Sequence, residues 1–403
     1  MSSLLRVLHV TASMSPARGG PTVVVRDTMR TLRRRGIAVD VATTDDDTAT
    51  TRLHVPLDRF VQVDGQRIRY FPRQTSKYGF SHPLLAWLRA NVRGYDLVHT
   101  HGLFSFAPLA GAWCARAAGV PCVMAPHGVL DTWGMKNKSR LAKSVSVRLV
   151  EGPLLRSAAA IHFMTPLEQS RAAQLPLSVR PVVLPAGVVD LDAPAEEDLE
   201  PLGGPALEGR DLILYLARIH PIKCVDVLLR AFAALPDRDP ALVIAGDGDP
   251  SLVASLKQLA AELRLGERVQ WLGFTEGARK RWLLSQAAVF VLPSASENFG
   301  VAAVEAMHAG LPVIVTSGCG LASFVADWEA GIVTDGSVEA LRSALAHLLG
   351  DEGSRRRMGQ AGRSAVRREL SLEAYGAKLE ALYRSILDGD SSSLGLAAPA
   401  IKP

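Results

Sequence analysis

Cysteine is scarce: four residues in 403 (Cys114, Cys122, Cys224 and Cys319), with no CxxC pair among them. That argues against a disulfide-stapled scaffold and a thiolate zinc site, and it fits a reducing, cytoplasmic compartment. Aromatic residues make up only 6 % of the chain, and its basic runs carry no interleaved aromatics and no known recognition module. Nucleic acid is therefore not an expected partner. No apolar run reaches the ~18 residues that a spanning helix needs. The most apolar long window, Ala107–Pro126, is broken by Arg116 and by Gly119–Val120–Pro121. The opening MSSLLRVLHVTAS has no apolar stretch followed by a cleavage site, so it is read as a first strand and not as a secretory leader. Short repeats and sustained heptads are missing too.

What is present is globular in composition, 48 % hydrophobic and 21 % charged. The length calls for two domains at ~100–200 residues each. The net charge of +5 hides an asymmetry: residues 1–190 hold 24 Lys and Arg against 12 Asp and Glu, the remainder 21 against 28. A basic half joined to an acidic half points to two units with different partners, the basic one suited to phosphate or an anionic membrane surface.

Short β-rich runs alternate with helical patterns. Leu5–Val10, Ile37–Ala42, Asp96–His99, Pro121–Ala125 and Ala159–Met164 read as strands; Pro21–Arg35 and Ala107–Ala118 read as helices, with Gly19 and Gly20 as a turn before the first. Residues 185–210 break this rhythm with Pro, Gly and acidic residues. It then restarts with strands at Asp211–Ala217, Leu242–Ala245, Val269–Leu272, Ala288–Leu292 and Val313–Thr316. Strand–helix alternation signals parallel α/β sheets. The chain thus divides into a first α/β domain over 1–190, a linker over 191–210 and a second α/β domain over 211–370. A helix over 371–388 packs back on the first domain, and 389–403 is a disordered tail.

Two stretches of the second half concentrate the chemistry. In AVFVLPSASENFGVAAVEAMHAG a buried strand runs into a polar loop with Glu297. Gly300 opens a helix, and Glu305 follows within its first two turns. A helix N-terminus offers unpaired amides and the positive end of a dipole, which suit a phosphate. In LYLARIHPIKCVD, Arg218 and Lys223 lie five residues apart in the loop after a strand. A forked guanidinium and a mobile ammonium there suit a diphosphate, and can stabilise it as a leaving group without a metal. Each stretch also has a plainer reading, as an ordinary helix start and as solvated loop cations.

Together the stretches resemble the retaining GT-B glycosyltransferases of family GT4, glycosyl transferase group 1. The match runs through Ala217–Arg218…Lys223–Cys224, the ENFGVAAVE element bounded by Glu297 and Glu305, VIAGDGD at 243–249 and VQWLGF at 269–274. In the first half, ARGGPTVVVRDTMRTLRRRG resembles the family's glycine loop and first helix. APHGVLDTWGMKNK at 125–138 resembles the PHG segment of exopolysaccharide-type members. The resemblance covers about residues 6 to 388. It implies an α/β GT-B fold, two Rossmann-like doubly wound domains facing a central cleft, and a nucleotide-diphosphate-sugar donor with no further cofactor. Arg218 and Lys223 would hold the diphosphate, Glu297 the donor sugar and Glu305 the ribose. Asn298, Phe299 and Gly300 would present backbone amides, Gly19 and Gly20 a flexible loop over the phosphates, and His127 a side chain at the anomeric centre. The catalytic set would be His127, Arg218, Lys223 and Glu297, with no metal. The acceptor would be a glycan or lipid-linked oligosaccharide in surface polysaccharide synthesis.

The chain departs from the family pattern in places. Ala217 and Cys224 replace glycines, which should stiffen the loop. SGCGLASFV after Thr316 lacks the usual Gly-Gly and Pro-Glu and is assigned backbone contact alone. Asp45–Asp47, Asp190/Asp192, Asp237/Asp239, Asp247/Asp249 and Asp388/Asp390 read as turn or surface acids. His99 and His101 read as loop histidines, and Trp87, Trp113 and Trp133 as core. Lys136, Lys138, Arg140, Lys143 and Arg148, with Arg33–Arg35, form a candidate face for anionic lipid. Two alternatives stay open: a nucleotide-sugar 2-epimerase of the same fold, and a non-enzymatic two-domain sugar-binding protein. A dehydrogenase is disfavoured, since no GxGxxG follows the first strand.

Overall fold

The computed structural model describes the chain apart from residues 1–3, 19, 49, 64, 131–145, 176–177, 189–208, 236–239 and 391–403. The expected linker at 191–210 and the tail at 389–403 fall almost wholly outside the described residues. The chain forms two compact units, Met1–Gly187 with Leu372–Pro403, and Val188–Ser371.

The first unit is built on an eight-stranded sheet of β1 (Arg6–Thr11), β2 (Ala38–Thr44), β3 (Phe60–Val63), β4 (Gln66–Phe71), β5 (Leu97–His101), β6 (Cys122–Ala125), β7 (Ala160–Phe163) and β8 (Pro181–Val183). Their order is β3-β4-β2-β1-β5-β6-β7-β8. Every pairing is parallel except β3 with β4. The central strands are buried on both faces, hence their nearly unbroken apolar runs. β1 sends Val7 to a cluster with Met29 and Leu32 of α1 (Gly20–Arg34), and sends Leu8 and Val10 to the opposite cluster. That second cluster takes Leu84 and Leu88 of α2 (His82–Asn91), Ala110 of α3 (Phe106–Ala118) and Leu155 of α4 (Gly152–Ser157). A fifth helix, α5 (Pro166–Ala172), starts at a Thr165 cap.

The sequence reading missed β3, β4 and α2. The dipeptide Asp-Gly at 64–65, between their alternating residues, is a hairpin signal legible in the sequence. Ser81, whose hydroxyl accepts from the Leu84 N–H, caps α2 ahead of Pro83, a start signal also legible in advance.

The second unit holds a six-stranded, all-parallel sheet of β9 (Leu212–Leu216), β10 (Ala241–Ala245), β11 (Val269–Gly273), β12 (Val289–Leu292), β13 (Val313–Thr316) and β14 (Gly331–Thr334). Its order is β11-β10-β9-β12-β13-β14. Helices α6 (Val225–Ala233), α7 (Pro250–Glu262), α8 (Gly277–Gln286), α9 (Val301–Ala309), α10 (Ala322–Asp327), α11 (Val338–Gly350) and α12 (Glu352–Glu369) surround it. Both sheets reverse direction beside their first strand, the point where doubly wound sheets bind ligands.

Helix α13 (Leu372–Leu387) belongs to the first unit, not the second. It lies on α1, where Thr31 donates to the Leu372 carbonyl at 2.7 Å and Arg35 pairs with Glu380 at 2.7 Å.

Candidate functional site

β9 ends at Leu216, and the chain turns through Arg218 into a 3₁₀ turn at Pro221–Lys223 before α6. The turn starts at His220, whose Nδ1 accepts from the Ile222 N–H at 3.3 Å. Burial, and then the positive charges of Arg218 and Lys223, hold the His220 imidazole below its usual pKa. The loop is thus a concentration of positive charge. Arg218 is exposed and forms no ion pair among the described residues. Its carbonyl accepts from the hydroxyl of Tyr215 at 3.2 Å, which ties the loop to the strand beneath.

Cys224, where the family pattern has glycine, carries φ +50°. The loop therefore keeps a left-handed conformation at a residue with a Cβ, a strained choice. This sharpens the expectation of a stiffer loop.

β12 ends at Leu292, next to β9, so its loop meets the Arg218 loop. The two are joined by the Ala295 N–H donating to the Ile222 carbonyl at 2.9 Å. Lys223 Nζ is hydrogen-bonded to Glu297 Oε2. The other Glu297 oxygen accepts from the Asn298 N–H at 3.0 Å. That amide, expected to await a ligand, is thus already used by Glu297. Phe299 is buried at 3 % exposure, so it anchors the loop. Gly300 stands at φ +91° at the head of α9, and only glycine takes that conformation without strain.

Glu305 is not held open: its Oε1 accepts from Lys280 Nζ of α8 at 2.7 Å. Lys280 was missed from the sequence. Nothing in the spacing announces it, because it reaches Glu305 through the packing of α8 on α9.

The backbone of Glu297 is gripped by the loop after β13. Its N–H donates to the Gly318 carbonyl at 3.1 Å and its carbonyl accepts from the Gly320 N–H at 2.8 Å. A Cβ on Gly318 would stand 2.2 Å from the Ala295 carbonyl oxygen. SGCG thus makes its backbone contact with the candidate acid itself.

The remaining candidates lie in the first unit. Gly19 is outside the described residues, and Gly20 is the first residue of α1, a helix start and not part of a flexible loop. His127 follows β6 at φ +55°, between Pro126 and Gly128. The buried carboxylate of Glu168 holds this turn, accepting from the N–H groups of Gly128 and Met164. Glu168 was also missed; the capping pair Thr165–Glu168 was its only sequence signal.

Three expectations need correction. His99 and His101 are not loop residues. β5 runs on to His101, which pairs with Thr11 and Ala125, and both rings are buried. Hydrogen bonds among imidazoles and to Tyr383 let the sheet hold them. Asp45 and Asp46 are buried, not surface acids: both serve Arg73, Asp45 through its backbone N–H and Asp46 through its guanidinium. Trp113 is 45 % exposed, with the Arg89 guanidinium 4.9 Å from its ring centre, and is not core. Trp133, Lys136, Lys138, Arg140 and Lys143 lie outside the described residues. No helix among the described residues is long and apolar enough to cross a membrane.

Comparison with known proteins places these features in a family. Residues 203–365 match the family described as glycosyl transferases group 1, and residues 19–187 match the glycosyl transferase 4-like domain. D-inositol 3-phosphate glycosyltransferase of Xylanimonas cellulosilytica is 30 % identical over 90 % of this chain and 91 % of its own. The enzyme of that name from Corynebacterium glutamicum (strain R) is 27 % identical over 96 % and 98 %. Among solved structures, sucrose-phosphate synthase from Thermosynechococcus elongatus superposes with a TM-score of 0.75 at 23 % identity, over 96 % of this chain and all of that one. Anabaena HepE, crystallised in complex with UDP-glucose, gives 0.70 at 19 %, over 96 % and 100 %.

Proposed function

Because the chain belongs to the glycosyl transferase group 1 family and has the GT-B fold, it is a glycosyltransferase, and we propose that it transfers a sugar with retention from a nucleotide-diphosphate-sugar. The observation that carries the donor assignment is the Arg218 loop lying against the Glu297 loop, with Lys223 bonded to Glu297. An exposed guanidinium, a movable ammonium and the head of α9 make an anion site at the carboxyl ends of β9 and β12. Glu297 keeps Lys223 in place until a diphosphate takes the ammonium over. The carboxylate is then released to hydroxyls of the donor sugar, and Lys280 holds Glu305 for the ribose.

Departure of the diphosphate breaks the anomeric C–O bond, and the electron pair leaves on the phosphate oxygen. The acceptor oxygen forms its new bond on the same face, and its proton passes to that phosphate oxygen. Arg218, Lys223 and the helix dipole stabilise the leaving charge, the part otherwise taken by a divalent cation. His127, in the turn after β6, is our proposed hydrogen-bond partner for an oxygen of the donor sugar.

The acceptor we favour is a glycan or lipid-linked oligosaccharide, with the enzyme on the cytoplasmic side and in peripheral contact with the membrane. Support for contact is the exposed apolar group of Trp113, Leu149 and Val150 beside Arg89 and Arg148, a pattern that suits an anionic interface. The names of the relatives favour a second acceptor, an inositol phosphate.

The test is a thermal-shift panel with UDP, GDP, ADP and CDP, with and without EDTA. A ligand at 100-fold its dissociation constant adds about 2.7 kcal/mol. One diphosphate should raise the melting temperature, keep its effect in EDTA and lose it in Arg218→Ala. No shift with any of the four at millimolar concentration would refute the donor site. Inositol 3-phosphate and a lipid-linked glycan, offered with the matched donor, then separate the two acceptors.

A further inference from the structure

Five histidines gather at the carboxyl end of the first sheet: His9 on β1, His99 and His101 on β5, His127 after β6 and His162 on β7. His9 Nδ1 is 2.8 Å from His101 Nε2, and His101 Nδ1 is 3.0 Å from His127 Nε2. The ring planes are 15° and 17° apart, with centroids at 5.1 and 5.3 Å. Those separations are what two ring radii and a hydrogen bond give end to end. The three imidazoles therefore meet edge to edge in nearly one plane, as a continuous chain.

Such a chain has a direction. A neutral imidazole has one N–H and one bare nitrogen. His101 uses both, so it accepts on one side and donates on the other. Whichever way His101 points, His9 and His127 must follow. The direction is decided at the buried end, where His9 Nε2 has no partner among the described residues. A buried N–H without an acceptor is rarer than a buried lone pair without a donor, and leaving it unmade is costly. His9 thus keeps its proton on Nδ1 and donates to His101 Nε2; His101 donates from Nδ1 to His127 Nε2. His127 is then left with its proton on Nδ1, the nitrogen with no hydrogen-bond partner among the described residues.

We propose that His9 and His101 are positioning residues that lock His127 in the Nδ1–H tautomer, so that His127 offers a substrate oxygen a hydrogen bond and not a lone pair. The inference rests on the proposed function, in which that oxygen belongs to the donor sugar. It also makes His127 a poor general base toward the substrate. Burial holds all three rings well below their usual pKa, so the chain stays neutral at physiological pH. A metal is a weaker reading of the same cluster. The nitrogens of His9, His99 and His101 lie within 4.8 Å of one another. Both nitrogens of His101 are already bonded, however, and no carboxylate or thiolate joins the group among the described residues.

The test is imidazole ¹⁵N NMR on the whole protein without substrate, with the His127 signals assigned from their loss in His127→Gln. Wild type should show a protonated Nδ1 and a bare Nε2 at His127. His9→Leu removes the donor that sets the direction, so His127 should become a mixture of tautomers and turnover should fall roughly tenfold to a hundredfold, with nucleoside-diphosphate binding unchanged. His9→Asn places an amide N–H where Nδ1–H stood, and should restore both the single tautomer and turnover. A proton on Nε2 of His127 in wild type, or a tautomer unmoved in folded His9→Leu, would overturn the proposal. The tautomer is read in the free protein and diphosphate binding is read separately, so a failure of the chain and a failure of the glycosyl-transfer reading give different results.

Discussion

Cys224 shows how a single side chain can be tolerated in a tight loop of the candidate site. Its backbone sits at φ +50°, where a Cβ costs roughly 1 kcal/mol. Its sulfur recovers little, being 3.6 Å from the Ile222 carbonyl. Cys224→Gly should therefore raise the melting temperature by a degree or two, the relief of strain being partly cancelled by a freer unfolded chain. Thermal denaturation checks this, and a lower melting temperature would mean that the thiol contributes packing the backbone angle conceals. Lys223 and Glu297 were legible in advance as loop residues of opposite charge. Their bond was not, because 74 positions separate them and only the β9–β12 pairing brings them together.

At the scale of elements, the candidate site is a junction of three loops that follow β9, β12 and β13. The loop after β13 is the support. It pairs its backbone with Glu297, and Gly318 permits the approach because a Cβ would lie 2.2 Å from the Ala295 carbonyl oxygen. Gly318→Ala should push the two loops apart and weaken diphosphate binding at least ~10-fold, while the change in global stability stays within the ~0.5–3 kcal/mol usual for point substitutions. Titration of the matched diphosphate into wild type and variant measures this; equal affinity would mean that the loop moves freely without disturbing Glu297. The same scale explains the misread histidines. A polar HTH at a strand end looks like loop, yet parallel partners on both sides carry β5 through His101.

For the whole molecule, the buried histidines set an acid limit. Burial lowers His9 to about 3 and His162 to about 4 from 6.5, and holds His99 and His101 well below that value. Below pH 6.5 the unfolded chain takes up protons that the folded chain refuses. Their stabilising share is therefore complete above pH 6.5 and declines as pH falls toward 4. Each such group gives a slope of up to about 1.4 kcal/mol per pH unit. Melting temperature should already fall between pH 6.5 and 5, above the range where ordinary carboxylates titrate. His162→Gln, whose amide can still donate to the Leu184 carbonyl, should flatten the slope; an unchanged profile would place the acid sensitivity elsewhere.

The sequence by itself determined the class of fold and supplied the residues of the candidate site. Apolar runs with helical intervals encode parallel sheets, because strands buried on both faces must be apolar throughout. Arg218, Lys223, Glu297 and Gly300 stand beside strand ends that such runs announce. Tertiary structure alone decided which charges meet, since Lys280 reaches Glu305 from another helix and Glu168 reaches the turn at His127 from forty positions away. It alone also joined His9 to His101 and His127, because strand order, not chain order, sets which side chains share an edge of the sheet.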